Sequence, residues 1–352
     1  TVEKGLTPKT KRYNREFLVK KQDKFKAVRN NEFIYNPMNM TLGAVDLNLT
    51  GKTVAVSGYY ITMKAKETFE SKYFSIWLRT SLAIKMYKLY ATGSLIERQR
   101  VQFPTLSQIK AYVPYNEEQI KIGNFFKQLD NTIILQQQLL NDYKQLKKAM
   151  LQNMFPQKGE TVPKVRFAGF TDKRKQDKIK DLLIERNERS GDGELISVTI
   201  NSGIVKTADL DRTDNSSKDK SNYKKVEKGD IAYNSMRMWQ GASGLSKYTG
   251  IVSPAYTIVI PNERVSPLFI SYKFKVPSMI QTFQANSQGL TSDTWNLKYP
   301  LLKKIKIKIP ELEEQVKIGN FFKQLDETIE LHQKKLETYQ ELKKAMLQRM
   351  FV

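Results

Sequence analysis

The segment Glu118–Phe155 (EQIKIGNFFKQLDNTIILQQQLLNDYKQLKKAMLQNMF) returns at Glu314–Phe351 as EQVKIGNFFKQLDETIELHQKKLETYQELKKAMLQRMF, with 27 of 38 positions identical at a constant offset of 196. Both copies must take one conformation, which constrains the fold more than any local pattern does. The offset continues upstream more faintly, pairing Gly93 with Gly289, Val113-Pro114 with Ile309-Pro310, and Val56-Ser57 with Val252-Ser253. Before Val56 it becomes 198. There Tyr35-Asn36-Pro37-Met38-Asn39-Met40 answers Tyr233-Asn234-Ser235-Met236-Arg237-Met238, and Thr1 answers Thr199. Each copy is therefore a divergent module followed by a nearly invariant segment. Pro163–Val198 has no counterpart ahead of Thr1, which predicts a first module lacking its opening stretch.

The invariant segments read as helices. Ile122, Phe126, Leu129, Ile133, Leu140, Tyr143, Met150 and Met154 recur at steps of three and four, as do Ile318, Phe322, Leu325, Ile329, Tyr339, Met346 and Met350. Pro114 precedes the first and Pro156 stops it. A helix of this length, about 55 Å at 1.5 Å per residue, must bury its apolar stripe. Its duplicate is the obvious partner, packed antiparallel about a pseudo-two-fold as a coiled coil. Gln136, Lys147 and Lys343 interrupt the seam and suggest stretches kept for another protein.

The modules read as mixed α/β. In the second, strands are predicted at Leu195–Ile200, Ile231–Asn234, Tyr256–Ile260 and Ile305–Ile309, with a helix over Pro267–Gln281 disturbed by Pro277. Asn201–Ser221 reads as loop. Lys173–Arg189 reads as a charged amphipathic helix through Ile179, Leu182 and Leu183, or as a phosphate-binding face. The expected division is a first module over 1–116, a helix over 117–156, a second module over 157–312 and a helix over 313–352.

Composition narrows the function. With 59 Lys and Arg against 36 Asp and Glu, the chain carries +23 and favours a polyanionic partner. Without Cys, and with His332 as the single His, thiolate chemistry and multi-His metal sites are excluded. No apolar run is long enough to span a membrane, and the first residues have no signal-like core, so a cytoplasmic protein is expected. There is no GxxxxGK[ST] and no Gly-rich dinucleotide loop. Asn36-Pro37-Met38-Asn39 is a poor match to an adenine-methylase motif, lacking the second Pro and the aromatic. No catalytic, cofactor or metal residues are expected.

Candidates for DNA contact fall in two clusters per module. Asn36 and Asn39 correspond to Asn234, Arg237, Trp239 and Gln240. Arg98 and Arg100 follow Gly93, while Thr291, Ser292, Trp295, Asn296 and Lys298 follow Gly289. Arg reads guanine and Asn or Gln reads adenine through paired hydrogen bonds, whereas scattered Lys and Arg hold phosphates. Tyr35, Tyr233 and the alternating Mets fit a core role as well. A scaffold without a DNA role, or a stand-alone methyltransferase or nuclease, are the competing readings.

A module, then I-x-x-x-[IV]-P-x-x-x-E-Q-x-x-I, then a long helix, all occurring twice, resembles the specificity subunits of Type I restriction–modification systems. The residues are Ile109, Val113-Pro114, Glu118-Gln119 and Ile122, and again Ile305, Ile309-Pro310, Glu314-Gln315 and Ile318. KVRFAGF at Lys164–Phe170 resembles the family's module-opening segment. The resemblance implies two target-recognition domains on double-stranded DNA, each reading half of a split, asymmetric sequence, with the helices fixing the gap. It implies two methyltransferase subunits using S-adenosylmethionine, and restriction subunits using ATP and Mg, docked on a non-catalytic chain. The family's Trp and Leu-Gly after the opening segment are replaced by Arg174 and Ile179-Lys180, which puts the packing there in question.

Overall fold

The structure, a computed structural model, describes residues 5–8, 24–93, 99–157, 159–200, 202–211 and 216–351. The chain forms two compact units, one of residues 1–138 and 333–352, the other of residues 139–332.

In the first unit, β2 (Phe33–Tyr35) pairs antiparallel with β3 (Val45–Leu47) and β5 (Ile61–Met63), and β1 (Phe25–Val28) pairs with β4 (Val54–Ser57). Helices α1 (Ser71–Trp77), α2 (Ser81–Tyr90) and α3 (Phe103–Ser107) follow, and then α4 (Asn116–Asn153), which leaves this unit after Gln138. Tyr73, Trp77 and Tyr87 pack with Phe33, Tyr35 and Met40 over the start of α4 at Ile122 and Phe126. The end of the chain closes this core, with Met346, Leu347 and the buried Phe351 packed into it. The rings of Phe351 and Phe126 lie 5.8 Å apart.

In the second unit, β6 (Lys175–Lys178) and β7 (Leu183–Glu185) open the module. The hairpin β8 (Ile196–Thr199) and β9 (Gly203–Lys206) follows, then β10 (Lys224–Val226), β11 (Ile231–Asn234), β12 (Ser243–Leu245), β13 (Gly250–Val252) and β14 (Tyr256–Pro261). Then come α5 (Pro267–Lys273), α6 (Pro277–Asn286), α7 (Tyr299–Leu302), β15 (Lys306–Ile309) and α8 (Leu312–Met350), of which Leu312–His332 belong here. One sheet runs β12-β11-β14-β7, and β15 pairs with β6. Its core takes Met154 and Phe155 from the end of α4, and the Phe155 ring lies 6.1 Å from Phe322 on α8.

Within each unit the helix segments run antiparallel. Phe126 and Asp130 of α4 meet Phe351 and Lys343 in the first. Lys147 and Tyr143 of α4, and Phe155 just beyond its end, meet Asp326, His332 and Phe322 of α8 in the second. The architecture is thus two mixed α/β modules with two long helices packed as an antiparallel coiled coil, and the internal repeat is structural. Lys147 and Lys343 therefore do not interrupt the seam as expected. They are equivalent positions of the repeat, and each makes an ion pair with the equivalent aspartates Asp326 and Asp130. Ile122, Phe126, Leu129 and Leu140 are buried, as are Ile318, Phe322 and Leu325, while Ile133, Tyr143, Ile329 and Tyr339 are half-buried. Leu336 is buried too. The sequence reading missed it, although it is the repeat equivalent of Leu140.

Three local expectations change. Lys173–Arg189 is not a helix: it supplies β6, a 3₁₀ turn over Ile179–Asp181, and β7. Ile179, Leu182 and Leu183 are fully buried, so their spacing reflects two strands around a turn. Pro277 does not end the expected helix but opens a new one, suiting a position whose N–H would be unbonded. The loop over Asn201–Ser221 contains β9, which pairs with β8.

The Glu-Gln pair of the repeat has separate tasks. Gln119 Oε1 accepts the Glu70 amide at 3.0 Å while its Nε2 donates to the Pro114 carbonyl at 2.8 Å. Gln315 does the same with the Ser266 amide and the Pro310 carbonyl, at 3.0 and 2.9 Å. Both glutamines tie the start of a long helix to the residue that caps the first short helix of its module, Glu70 ahead of α1 and Ser266 ahead of α5. Gly123 and Gly319 allow that approach. A Cβ on Gly123 would lie 2.9 Å from the Tyr73 amide nitrogen, and one on Gly319 3.2 Å from that of Phe269. Gly123→Ala is therefore expected to cost about 1–3 kcal/mol through forced separation of α1 and α4, despite alanine's better helix propensity. Chemical denaturation of the variant checks this, and a gain in stability would contradict the packing.

Candidate nucleic-acid interface

The turn after β2 and the turn after β11 share one conformation. Asn36 Oδ1 accepts the Met38 amide at 3.0 Å, and Asn234 Oδ1 accepts the Met236 amide at 3.0 Å. A 3₁₀ turn follows and ends on a left-handed glycine, Gly43 (φ 82°) or Gly241 (φ 84°). Any side chain at these glycines would be strained. The Met alternation then follows: Met40 and Met238 are fully buried and anchor the turn, while Met38 and Met236 face solvent. Tyr35 and Tyr233 are core. Asn36 and Asn234 hold their own turns with their carboxamide oxygens, which leaves the amide nitrogens for a partner.

A second loop folds back onto each turn. In the second module Gln288 and Asn296 bridge through paired backbone bonds of 3.0 and 2.8 Å, and the Leu297 amide donates to the Ser235 carbonyl at 2.8 Å. In the first, Thr92 and Arg100 bridge in the same way, and the Val101 amide donates to the Pro37 carbonyl at 3.0 Å. The two clusters separated by about 50–60 residues in each module's sequence are thereby brought together. In the second module the Trp239 and Trp295 rings meet edge to face at 5.2 Å, and Trp239 Nε1 donates to the Met236 carbonyl at 3.1 Å.

Among the sequence-predicted residues, Asn39, Arg100, Thr291, Ser292 and Lys298 are exposed, while Asn36, Asn234, Arg237, Trp239, Gln240, Trp295 and Asn296 are half-buried. Arg98 lies outside the described residues. Asn296 Oδ1 is buried with no partner among the described residues, so this carboxamide faces inward. Thr291 and Thr294 hydrogen-bond within their own loop. Arg237 makes no ion pair among the described residues.

Sequence reasoning missed two cations, Lys224 and Arg189, near the predicted Lys298. Lys224 is held below the usual lysine range by burial, opposed by Glu185 and reinforced by Arg189 and Lys298. Arg189 and Lys298 add positive charge around Lys224, which Glu185 partly offsets through an ion pair at 3.8 Å. Lys275, pushed down to about 8 by burial and then by Lys147, donates to the Ile200 carbonyl at 3.1 Å and to that of Gly241, bracing the turn. Its repeat equivalent is Arg79, so an alignment of the two copies pairs a basic residue with a basic residue here. The opening-segment positions that depart from the resembled family are also accounted for. Arg174 is buried in an ion pair with Glu314, and Ile179 is fully buried in the core.

No helix among the described residues is long and apolar enough to cross a membrane. No curated protein matches the sequence. Solved structures are similar, among them three from Type I restriction–modification systems. The S subunit of the Type I restriction–modification system of M. genitalium matches with a TM-score of 0.57 at 15% identity, over 94% of this chain and 84% of that one. The HsdS subunit of Thermoanaerobacter tengcongensis gives 0.49 at 14%, over 95% and 83%. A chain described in terms of complex assembly and conformational transition of the type I R-M system gives 0.48 at 13%, over 93% and 83%. Residues 161–341 match the family model of the Type I restriction modification DNA specificity domain, a stretch holding the second module and most of α8. The chain belongs to the Type I restriction–modification DNA specificity family.

Proposed function

We propose that the two modules of this DNA-recognition subunit each read one half of a split, asymmetric DNA sequence, and that the paired helices set the gap and carry partner subunits. The observation that carries this is the convergence, in each module, of the turn after β2 or β11 with the segment bridged at Thr92 and Arg100 or at Gln288 and Asn296. Asn36, Asn39 and Arg100 converge in one module. Asn234, Arg237, Gln240 and Lys298 converge in the other. These are the side-chain types that bond base edges and phosphates, on surfaces that differ between modules while the helices do not. The +23 charge supports a polyanionic ligand through counterion release.

In this reading the chain performs no chemistry and holds no cofactor. Two methyltransferase subunits bring S-adenosylmethionine, and restriction subunits bring ATP and Mg. The complex works in the cytoplasm. The constancy of the two helices supports a shared docking frame, because a surface used twice by identical partners is held twice.

The test is methylation mapping in cells that make the chain with its methyltransferase partners. A bipartite adenine-methylated motif is expected, and exchanging residues 163–313 for another module should change one half only. Arg237→Ala is expected to weaken specific binding about 5- to 100-fold, the worth of one bidentate base contact, with the other half-site unaffected. A change in both halves would overturn the two-reader model, and methyl transfer by the isolated chain would overturn the non-catalytic one.

A further inference from the structure

One side chain fastens the turn that carries Asn234, Arg237, Trp239 and Gln240. Lys275, in the short link between α5 and α6, donates from Nζ to the Gly241 carbonyl and, at 3.1 Å, to the Ile200 carbonyl. Gly241 ends the turn in the left-handed region, and Ile200 follows β8 in the hairpin loop. A single ammonium thus joins the turn, the hairpin and the end of α5. Little room is left around it. A Cβ on Gly241 would lie 3.2 Å from Ile280 Cδ1 and 3.9 Å from Lys275 Cδ.

The same lysine stands beside the helix frame. Its charged neighbour on α4 is Lys147, which pairs with Asp326 of α8 and lies 5.6 Å from the centre of the Tyr272 ring. Tyr272, three residues before Lys275, donates its hydroxyl to the other oxygen of Asp326 at 2.8 Å. The hairpin and the turn meet Lys275 with carbonyls and α6 meets it with Ile280, so Lys147 is the charged group that faces it. In the first unit the equivalent residue is Arg79, which donates from Nε to the Val45 carbonyl at 2.7 Å and pairs with Asp46. A guanidinium keeps its charge throughout the ordinary pH range, whereas a half-buried lysine facing another cation does not.

We propose that Lys275 is a positioning residue for DNA recognition by the second module, holding the turn in its binding shape, and that Lys147 of the frame sets how firmly it holds. The proposal rests on the DNA reading above and adds an asymmetry to it: one half-site is read through a turn whose brace titrates, the other through a turn whose brace does not. Burial and then Lys147 push Lys275 down to about 8. Below that value the ammonium makes two charge-assisted bonds, and above it the neutral amine donates more weakly and the turn loosens. Recognition of the second module's half-site therefore weakens as pH rises through that value, while recognition of the other half does not.

The test uses the full chain labelled with fluorotryptophan, because Trp77 lies in the first unit while Trp239 and Trp295 meet at the turn. The fluorine signals of Trp239 and Trp295 are expected to move with a common midpoint near 8, and that of Trp77 to stay in place. Lys275→Arg should abolish the movement, and Lys147→Gln should carry the midpoint to higher pH by removing the repulsion. Binding is then measured to a duplex carrying the mapped methylation motif and to duplexes altered in one half. Discrimination at the second module's half should fall about tenfold through the midpoint, the worth of one charge-assisted bond, in the unaltered chain but not in Lys275→Arg. Lys275→Met should show the lower discrimination at every pH. Turn signals that stay still, or that move equally in Lys275→Arg, would overturn the proposal, as would a titrating turn with unchanged discrimination. A chain that discriminates neither half at any pH would overturn the DNA reading and the proposal with it, and the fluorine titration, made without DNA, tells that failure apart.

Discussion

Glu314→Ala is expected to destabilise the second unit by about 3–5 kcal/mol, because it strands a buried arginine. Arg174 has no exposed side-chain surface, and its Nε and Nη1 have no partner among the described residues. Burial lowers its pKa, opposed by Glu314 and reinforced by Arg166. The carboxylate is therefore what keeps a full positive charge tolerable there, and the Met154 carbonyl, 2.9 Å away, is a weaker substitute. Glu118→Ala, the same residue of the repeat, is exposed and should change stability by no more than about 0.5 kcal/mol. Urea denaturation of the two variants makes the comparison. Equal losses would show that the burial of Glu314 does not matter, against the physical account given for the module-opening segment.

Phe155→Ala should cost about 3–5 kcal/mol, the range for truncating a fully buried aromatic. Its ring lies 5.5 Å from Phe269 and 6.1 Å from Phe322, so the loss removes ring contacts as well as area. Lys273 Nζ and the Arg174 guanidinium lie 5.2 and 5.9 Å from the same ring. Lys273, pushed down to about 7 by burial and then by Arg174 and Lys308, is only partly charged near neutrality. The ring thus combines apolar filling with a face turned to the Arg174 guanidinium and to a lysine whose charge burial disfavours. Phe351→Ala should weaken the first unit comparably. Thermal unfolding with probes in each module separates the two effects, and a shift confined to the wrong module would refute the assigned packing.

Much of this was legible because the chain carries its own comparison. Ile122, Phe126, Ile318 and Phe322 follow from heptad spacing, and the repeat singles out Asn36 and Asn234, which do hold equivalent turns. The illegible parts depend on tertiary partners. Lys147 and Lys343 look like breaks in an apolar seam until the antiparallel register sets Asp326 and Asp130 beside them. Ile179, Leu182 and Leu183 have helical spacing, yet β15 and β14 offer edges that outweigh local preference. The basic group of Arg189, Lys224 and Lys298 is spread across more than a hundred residues and exists only in the fold. Nor could spacing reveal that Asn296 turns inward.

Phe351 also sets an order of events in synthesis. The second unit is one continuous stretch, residues 139–332, and can form as soon as that stretch has left the ribosome. The first unit joins residues 1–138 to residues 333–352, so its core stays open until the segment around Phe351 has followed the second unit out of the ribosome. The first module therefore closes after the second, although it is made before it. A nascent chain arrested before Phe351 would carry a mature second module and an unclosed first one.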